Sequence, residues 1–293
     1  MIISASYRTD IPAFHAEWFA ERFSAGFCEV RNPYSNATTH VSLAHENVDG
    51  FVFWTRRLTP FLPMLNRLKD IGAAFVVHYT ITGYPRELEP ALPTWQHAVR
   101  EVAGAARQFG PRTFVWRYDP VLLTSITPPS FHRENFSQLA KILTGEVDEV
   151  ILSFAHIYQK TRRNIERAAN HHGFTWRDPE SGEKRALLAD LAAIAAKTGL
   201  RPTLCAQPEL SIDGLEPARC IDAARLSDVK GKPVVAREKS HRTGCLCAES
   251  RDIGAYDTCV HGCVYCYAVR TREIAKQALL IRSRLTPDDR ISL

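Results

Sequence analysis

Short apolar runs alternate with longer helical patterns along the whole chain of 293 residues, and this alternation limits the folds that are open to it. The apolar runs are rich in Val, Ile and Phe and are often apolar at consecutive positions, which is typical of strands buried on both faces of a sheet. Strands are predicted at residues 2–6, 28–31, 51–55, 75–82, 113–117, 150–154, 202–206 and 234–237. Helices are predicted at residues 12–25, 60–71, 94–110, 130–143, 159–171, 183–198, 215–226 and 268–282.

Strands that alternate with helices predict an α/β protein with a parallel sheet, and the number of strands favours a closed (β/α)8-like barrel. An open, doubly wound sheet is the alternative. Residues 32–47 are predicted to be mostly loop. No linker rich in Gly, Ser or Pro divides the chain, so residues 1–293 are predicted to form one domain, in which residues 240–293 form a cysteine-rich loop and the last helix.

The composition is that of an ordinary globular protein, with 45% hydrophobic and 24% charged residues. No apolar run approaches the roughly 20 residues that a membrane-spanning helix needs. The first residues lack the basic region and the apolar stretch of a secretory signal peptide. These observations predict a cytoplasmic protein with no membrane partner.

The positive charge is concentrated near one end of the sequence. Residues 230–293 contain 12 Lys and Arg against 7 Asp and Glu, which accounts for the whole net charge of +5. This distribution is compatible with binding an anionic ligand or DNA, and equally with a solvated basic face, which is the commoner case.

Five of the eight cysteines lie between positions 245 and 266, which in a cytosolic protein indicates metal binding or catalysis rather than disulfides. Cys259, Cys263 and Cys266 have the spacing C-x3-C-x2-C, and three thiolates on one tight loop can hold three corners of a cubane iron–sulfur cluster. The fourth iron is then open to an outside ligand. A structural zinc site is the alternative, although zinc motifs usually pair one C-x2-C with a second one or with two histidines.

Two further cysteines, Cys245 and Cys247, precede this motif as a C-x-C pair. They could bind a second cluster, relay electrons or occupy the fourth iron, and they could equally be structural thiols. If either thiolate bound the fourth iron permanently, that iron would be closed to other ligands.

The C-x3-C-x2-C motif with the aromatic Tyr265 directly before its third cysteine resembles the radical S-adenosylmethionine (SAM) superfamily. The resemblance implies a [4Fe-4S] cluster on Cys259, Cys263 and Cys266, SAM chelated to the open iron, and Tyr265 packed against the adenine. It also implies a reducing partner such as a flavodoxin or ferredoxin. Reductive cleavage of SAM would give a 5′-deoxyadenosyl radical that abstracts hydrogen from a substrate.

Nearly the whole chain resembles a bacterial family of uncharacterised radical SAM-like proteins, through residues 6–12, 30–33, 53–55, 80–84 and the cysteine loop. The loop itself, at residues 256–268, is similar to the cluster loop of spore photoproduct lyase-type DNA repair enzymes, which implies a lyase acting in photoproduct or nucleobase repair. Radical SAM enzymes usually carry the motif near the N-terminus. A permuted barrel accounts for its position here, with residues 234–237 as the first strand of the barrel and residues 268–282 as the first helix.

The Gly-Gly-Glu motif that usually grips SAM is absent from the sequence, so polar residues at predicted strand ends become candidates for SAM binding: Thr80, Thr82, Arg117 and Asp119. Candidates for substrate binding are Arg8, Asp10 and Trp54. The Arg and Asp pairs could equally be structural ion pairs at the rim of a barrel. No catalytic residue is assigned, and the rival functions are an electron-transfer or non-catalytic iron–sulfur protein and a zinc-stabilised nucleic-acid-binding module.

Overall fold

The computed structural model describes residues 1–33, 35–286 and 291–293. Residues 287–290, which belong to the predicted C-terminal segment 240–293, lie outside the described residues. Within the described ranges, no helix combines the length and the apolar character needed to cross a lipid bilayer.

A parallel sheet forms the centre of the molecule. The strands are β1 (Ile2–Ala5), β2 (Phe27–Arg31), β3 (Thr38–Ser42), β4 (Gly50–Thr55), β5 (Phe75–Thr80), β6 (Phe114–Val121), β7 (Glu149–Phe154), β8 (Arg201–Leu204), β9 (Glu216–Pro217) and β10 (Ser250–Asp252). The central sheet has eight strands in the order β10-β1-β4-β5-β6-β7-β8-β9, and all of its neighbouring strands are parallel.

Helices connect most of these strands. They are α1 (Ile11–Phe14), α2 (Ala16–Ala25), α3 (Leu62–Asp70), α4 (Trp95–Phe109), α5 (Pro129–Leu143), α6 (Gln159–His172), α7 (Ser181–Lys197), α8 (Ala223–Lys230) and α9 (Arg272–Ser283). Several begin at side-chain caps, as at Asp10, Thr94 and Thr271. The crossover helices hold successive strands parallel, which places the C-terminal ends of the strands along one edge of the sheet.

The two faces of the sheet pack against different parts of the chain, because successive side chains of a strand point to opposite faces. On β4, Phe51 and Phe53 join the larger apolar core, which includes residues of α2, α3, α4, α5 and α7. Val52, between them, joins a smaller core with Leu226 of α8 and residues of the segment 205–248. Burial on both faces explains why these strands are apolar at consecutive positions.

The edge strands of the central sheet are β10 and β9, and no pairing between them is found in the described part of the chain. The N–H of Ala248 donates to the carbonyl oxygen of Ile221 over 2.8 Å, which joins the segments next to the two edges. The prediction of an α/β protein with an eight-stranded parallel sheet is confirmed, and the arrangement is compatible with a barrel.

Three sequence-based predictions of local structure are wrong. Residues 28–31 form a strand, but it pairs antiparallel with β3, inside the predicted loop 32–47, as a separate hairpin. Residues 234–237 form no strand, and Val235 is 89% exposed, since β10 holds the place beside β1 instead. Residues 215–226 are not one helix, because Glu216–Pro217 pairs with β8 and α8 starts later, at an Asp222 cap.

Candidate metal centre

The C-x3-C-x2-C motif lies in the loop of residues 253–271, called here the cysteine loop, between β10 and α9. Because β10 is parallel to its neighbour, this loop leaves the sheet on the side where the strands have their C-terminal ends, as do the loops that follow β1, β4 and β5. Functional groups of parallel α/β proteins collect at this edge.

Backbone hydrogen bonds order the thiols within the loop. The N–H of Cys266 donates to the carbonyl oxygen of Cys263 over 3.1 Å, and the N–H of Ala268 donates to Sγ of Cys266 over 3.4 Å. Burial raises the pKa of Cys263 to about 12 and raises the pKa of Cys259 and of Cys266. The pKa of Cys259 is raised further by Asp10 and by the other two thiols, so the three sulfurs are electrostatic neighbours.

One side of the cysteine loop is fastened to the residues that follow β1. Nε2 of His261 lies 2.8 Å from Oδ2 of Asp10, and the same oxygen accepts from the N–H of Arg56 over 2.9 Å. The hydroxyl of Thr258 donates to that of Thr9 over 2.7 Å. The predicted substrate ligand Asp10 therefore holds the loop, the start of α1 and the end of β4 together.

The other side of the loop is fastened by a buried polar cluster around Arg56. Its guanidinium donates to Oε1 of Glu89 and to the hydroxyl of Tyr265, each over 2.6 Å, and the hydroxyl of Thr82 also donates to Glu89. Burial lowers the pKa of Arg56, but Glu89, Tyr265 and Cys263 outweigh burial and hold it well above its usual value. The hydroxyl of Tyr265 is thus engaged, while its ring packs edge-on against Tyr84.

A small pocket of about 180 Å³ adjoins this cluster. Thr80 and Thr82, two of the predicted SAM ligands, line it together with Arg56 and Glu89. Its volume is below the roughly 300 Å³ at which small-molecule sites usually begin.

The other two predicted SAM ligands, Arg117 and Asp119, form an ion pair on β6 in which Arg117 is buried and Asp119 is partly buried. Asp119 also accepts from the hydroxyl of Ser153, and Arg117 donates to Sγ of Cys220 over 3.1 Å. Asp119 is therefore engaged with Arg117 and Ser153, and Arg117 also contacts a different set of cysteines.

That set is a row of four thiols in the smaller core, called here the interior cysteine row: Cys205, Cys220, Cys247 and Cys245. Sγ of Cys205 lies 3.4 Å from Sγ of Cys220, and the Cys247 thiol is near enough to Cys220 and to Cys245 to raise the pKa of the first and to lower the pKa of the second. Cys245 and Cys247 pack in this core, whereas Cys263 packs against another. No local spacing in the sequence marks Cys205 and Cys220 as partners of the C-x-C pair.

The remaining predicted substrate ligands are already occupied by neighbours. Arg8 forms an ion pair with Asp252 at 2.8 Å. Trp54 is half-buried and stacks on His78, with 5.2 Å between ring centroids.

The chemistry of the donor set in the cysteine loop fits an iron–sulfur cluster, because three thiols stand on one short loop. Across the described residues, no group of three or more His, Cys, Asp and Glu side chains is placed to hold one metal ion. In a cubane cluster each cysteine binds a different iron, so such a cluster does not require three thiols to meet at a single ion.

The fold and the site together define an α/β protein with a cysteine-rich site at the C-terminal edge of a parallel sheet. The chain belongs to the family described as "Domain of unknown function (DUF1848)", whose sequence model matches residues 2–268 and so includes all three cysteines of the motif. No curated protein and no solved structure matches the chain.

Proposed function

We propose that this chain is a radical SAM enzyme whose [4Fe-4S] cluster is held by Cys259, Cys263 and Cys266. The observation that carries the proposal is the placement of three thiols on one short loop that is fastened on two sides, through His261 and Tyr265, to residues at the C-terminal ends of the strands. The bound cluster would supply the electron that cleaves SAM and so generates the radical for hydrogen abstraction. The electron itself would come from an external reductant such as a flavodoxin or ferredoxin.

The protein's own residues would position the cofactors. Asp10 and His261 fix one side of the cysteine loop, and Arg56, Glu89 and Tyr265 fix the other, so the thiols are oriented before a cluster binds. Preorganised ligands bind with a smaller loss of conformational freedom. Thr80 and Thr82 line the adjoining pocket and are proposed to contact SAM. The ring of Tyr265, which packs edge-on against the pocket residue Tyr84, is proposed to lie beside the adenine.

The test is to purify the full chain without oxygen, reconstitute it with iron and sulfide, and measure iron, sulfide and zinc. The electron paramagnetic resonance spectrum of the reduced protein is then recorded with and without SAM, and 5′-deoxyadenosine is assayed after reduction. About four irons bound by the cysteine loop, a spectrum changed by SAM, and 5′-deoxyadenosine formation are expected.

Cys263→Ala should lose that cluster signal and the formation of 5′-deoxyadenosine. Cys28→Ala is the matched control, because Cys28 is also a free cysteine but lies in the larger core, on the hairpin strand β2. Zinc without iron, or a cluster whose spectrum ignores SAM, would contradict the proposal in favour of a zinc-stabilised or electron-transfer protein.

We propose a DNA lesion as the substrate. Tyr158 is 51% exposed, and Tyr267 of the cysteine loop is 42% exposed. Their ring centroids are 6.4 Å apart, and Lys160 donates to the carbonyl oxygen of Tyr267. Exposed aromatic rings next to basic groups are typical of surfaces that stack unpaired bases and contact phosphates. This patch belongs to the side of the molecule that carries the cysteine loop.

The substrate proposal is tested with duplex DNA that contains a thymine photoproduct, against the same undamaged duplex, at two salt concentrations. Tighter, salt-sensitive binding of damaged DNA is expected, and Tyr158→Ala should weaken it severalfold. Ile142→Ala, which changes an exposed side chain on α5, should leave binding unchanged. Equal affinity for both duplexes would contradict a lesion substrate and leave the SAM chemistry untouched.

A further inference from the structure

We infer that the interior cysteine row is a second metal site, in which Cys205 and Cys220 bind one thiophilic metal atom and Cys247 and Cys245 complete the ligand set. The four thiols come from three separate segments, which follow β8, follow β9 and precede β10. They meet in the smaller core, apart from the cysteine loop. The inference does not depend on the proposed radical SAM activity.

The spacing of the first pair fits ligands that share one metal atom. Zinc–sulfur bonds of about 2.3 Å place two sulfurs of a tetrahedral site roughly 3.8 Å apart. Sγ of Cys205 and Sγ of Cys220 are 3.4 Å apart. As the side chains stand, no three of these thiols meet at one metal position. Cys247 and Cys245 would therefore complete the ligand set either by turning towards a single metal atom bound by the first pair or by holding the second iron of a two-iron cluster.

Two guanidiniums donate to this first pair, which is the second and independent sign of a metal site. Arg117 donates to Sγ of Cys220, and Arg242 donates to Sγ of Cys205, each over 3.1 Å. Cysteines that only fill space in a core behave as small hydrophobic groups and do not need cationic partners. Four thiolates around a dication carry a net charge of −2, which the buried guanidinium of Arg117 and the more exposed one of Arg242 help to neutralise.

The location also gives the site a structural role. Cys205 and Cys220 lie beside the β8–β9 edge of the central sheet, and Cys247 lies beside β10 at the opposite edge. Between these edges the N–H of Ile221 donates to Sγ of Cys247 over 3.4 Å. A metal atom bound here would join the two edges that strand pairing leaves unjoined.

The experiment compares metal content in three forms of the full chain, purified without oxygen and reconstituted with iron, sulfide and zinc. The forms are wild type, the variant Cys259→Ala/Cys263→Ala/Cys266→Ala, and the variant Cys205→Ala/Cys220→Ala. The first variant is expected to retain about one zinc or about two irons per chain, and the second is expected to lose that metal. Whether zinc or iron with sulfide is retained identifies the centre.

Loss of all metal from the first variant, with the row still reduced, would overturn the inference. If Cys205→Ala/Cys220→Ala fails to fold, cysteine alkylation of the first variant tests the site instead. Bound metal should protect the four thiols of the row from alkylation, and removal of the metal by a chelator should make them reactive. Free alkylation of the row in the metal-loaded protein would again refute the site. The separate variants keep this result distinguishable from failure of the cluster in the cysteine loop.

Discussion

Oδ2 of Asp10 lies 2.8 Å from Nε2 of His261, although 251 positions separate the two residues in the chain. The other carboxylate oxygen of Asp10 caps α1 by accepting from the N–H of Ala13 over 2.9 Å. One side chain thus links the first helix of the protein to the loop that carries the motif near its end. Because both residues are buried, the contact is shielded from water and from salt.

Replacement of Asp10 by Ala is expected to lower the free energy of unfolding by about 2 kcal/mol, because a helix cap and buried bonds to His261 and Arg56 are lost. Iron retained by the cysteine loop should fall as well. Urea unfolding and iron analysis measure the two effects. Thr94→Ala removes the cap of α4 and should cost about 1 kcal/mol without loss of iron. Full iron retention in Asp10→Ala would show that this contact does not order the loop.

The sequence allowed the inner strands of the sheet to be predicted because burial on both faces leaves a continuous apolar run, as in β7. It did not allow β10 to be predicted. That edge strand is Ser-Arg-Asp, and Asp252 is used to accept hydrogen bonds from Ser4 and Ser6 rather than to fill a core. The apolar run at 234–237 is the more strand-like sequence, yet no strand of the described residues pairs with it.

The cysteine motif could be located from spacing alone, because its three residues are close in the chain. The interior cysteine row could not, since the contact of Arg117 with Cys220 spans 103 positions and depends on how β6 packs on the segment after β9. The Arg56–Glu89 pair was missed for the same reason, because its partners come together only once β4 and β5 are aligned.

Two substitutions in the Arg56–Glu89–Tyr265 cluster should lower the free energy of unfolding by very different amounts. Glu89→Ala leaves a buried guanidinium without its carboxylate and is expected to cost about 3–5 kcal/mol. Tyr265→Phe keeps the ring and removes one hydroxyl, with an expected cost of about 1–2 kcal/mol. Urea unfolding of the metal-free proteins measures both. Equal, small effects would mean that water replaces the lost partners.

An ion-pair network at the N-terminal end of the sheet's strands should contribute strongly to the free energy of unfolding and should not affect iron binding. Arg225 is 2% exposed and donates to Asp148 and to Glu149. Arg225→Met is expected to cost about 3–5 kcal/mol because these carboxylates lose their buried cation. Arg133→Ala is the control, since its pair with Asp190 is about half exposed and should contribute no more than about 1 kcal/mol. Iron retained by the cysteine loop should be unchanged in both folded variants.

Gly83 should tolerate substitution less well than another glycine of similar conformation. It has a φ of +65°, and a Cβ there would lie 2.4 Å from Oδ1 of Asn135, whose amide donates to the carbonyl oxygen of Thr82. Gly145 has a φ of +78° with no atom within 4 Å of such a Cβ. Gly145→Ala should cost about 1 kcal/mol from backbone strain, and Gly83→Ala roughly 1–2 kcal/mol more. Thermal unfolding compares them, and equal losses would mean that Asn135 moves aside freely.

The buried His132 should make the protein sensitive to mild acid. Burial lowers the pKa of His132 to about 4, and its ring bonds the hydroxyl of Tyr118 and the carbonyl oxygen of Leu122 as a neutral imidazole. The unfolded chain takes up this proton near pH 6.5, so the stability contributed by neutral His132 is complete above that pH and is lost as pH falls towards 4. The contribution of His132 to the free energy of unfolding should fall by about 2 kcal/mol between pH 7 and pH 5.

His132→Gln removes this titration, although the substitution itself destabilises the fold at pH 7. The expected result is that urea unfolding of His132→Gln changes by about 2 kcal/mol less than wild type between pH 7 and pH 5. The comparison uses the difference between two pH values, so the constant cost of the substitution cancels. Identical pH dependence in the two proteins would mean that His132 is protonated in the folded state as readily as in the unfolded chain, which its burial against Tyr118 and Leu122 argues against.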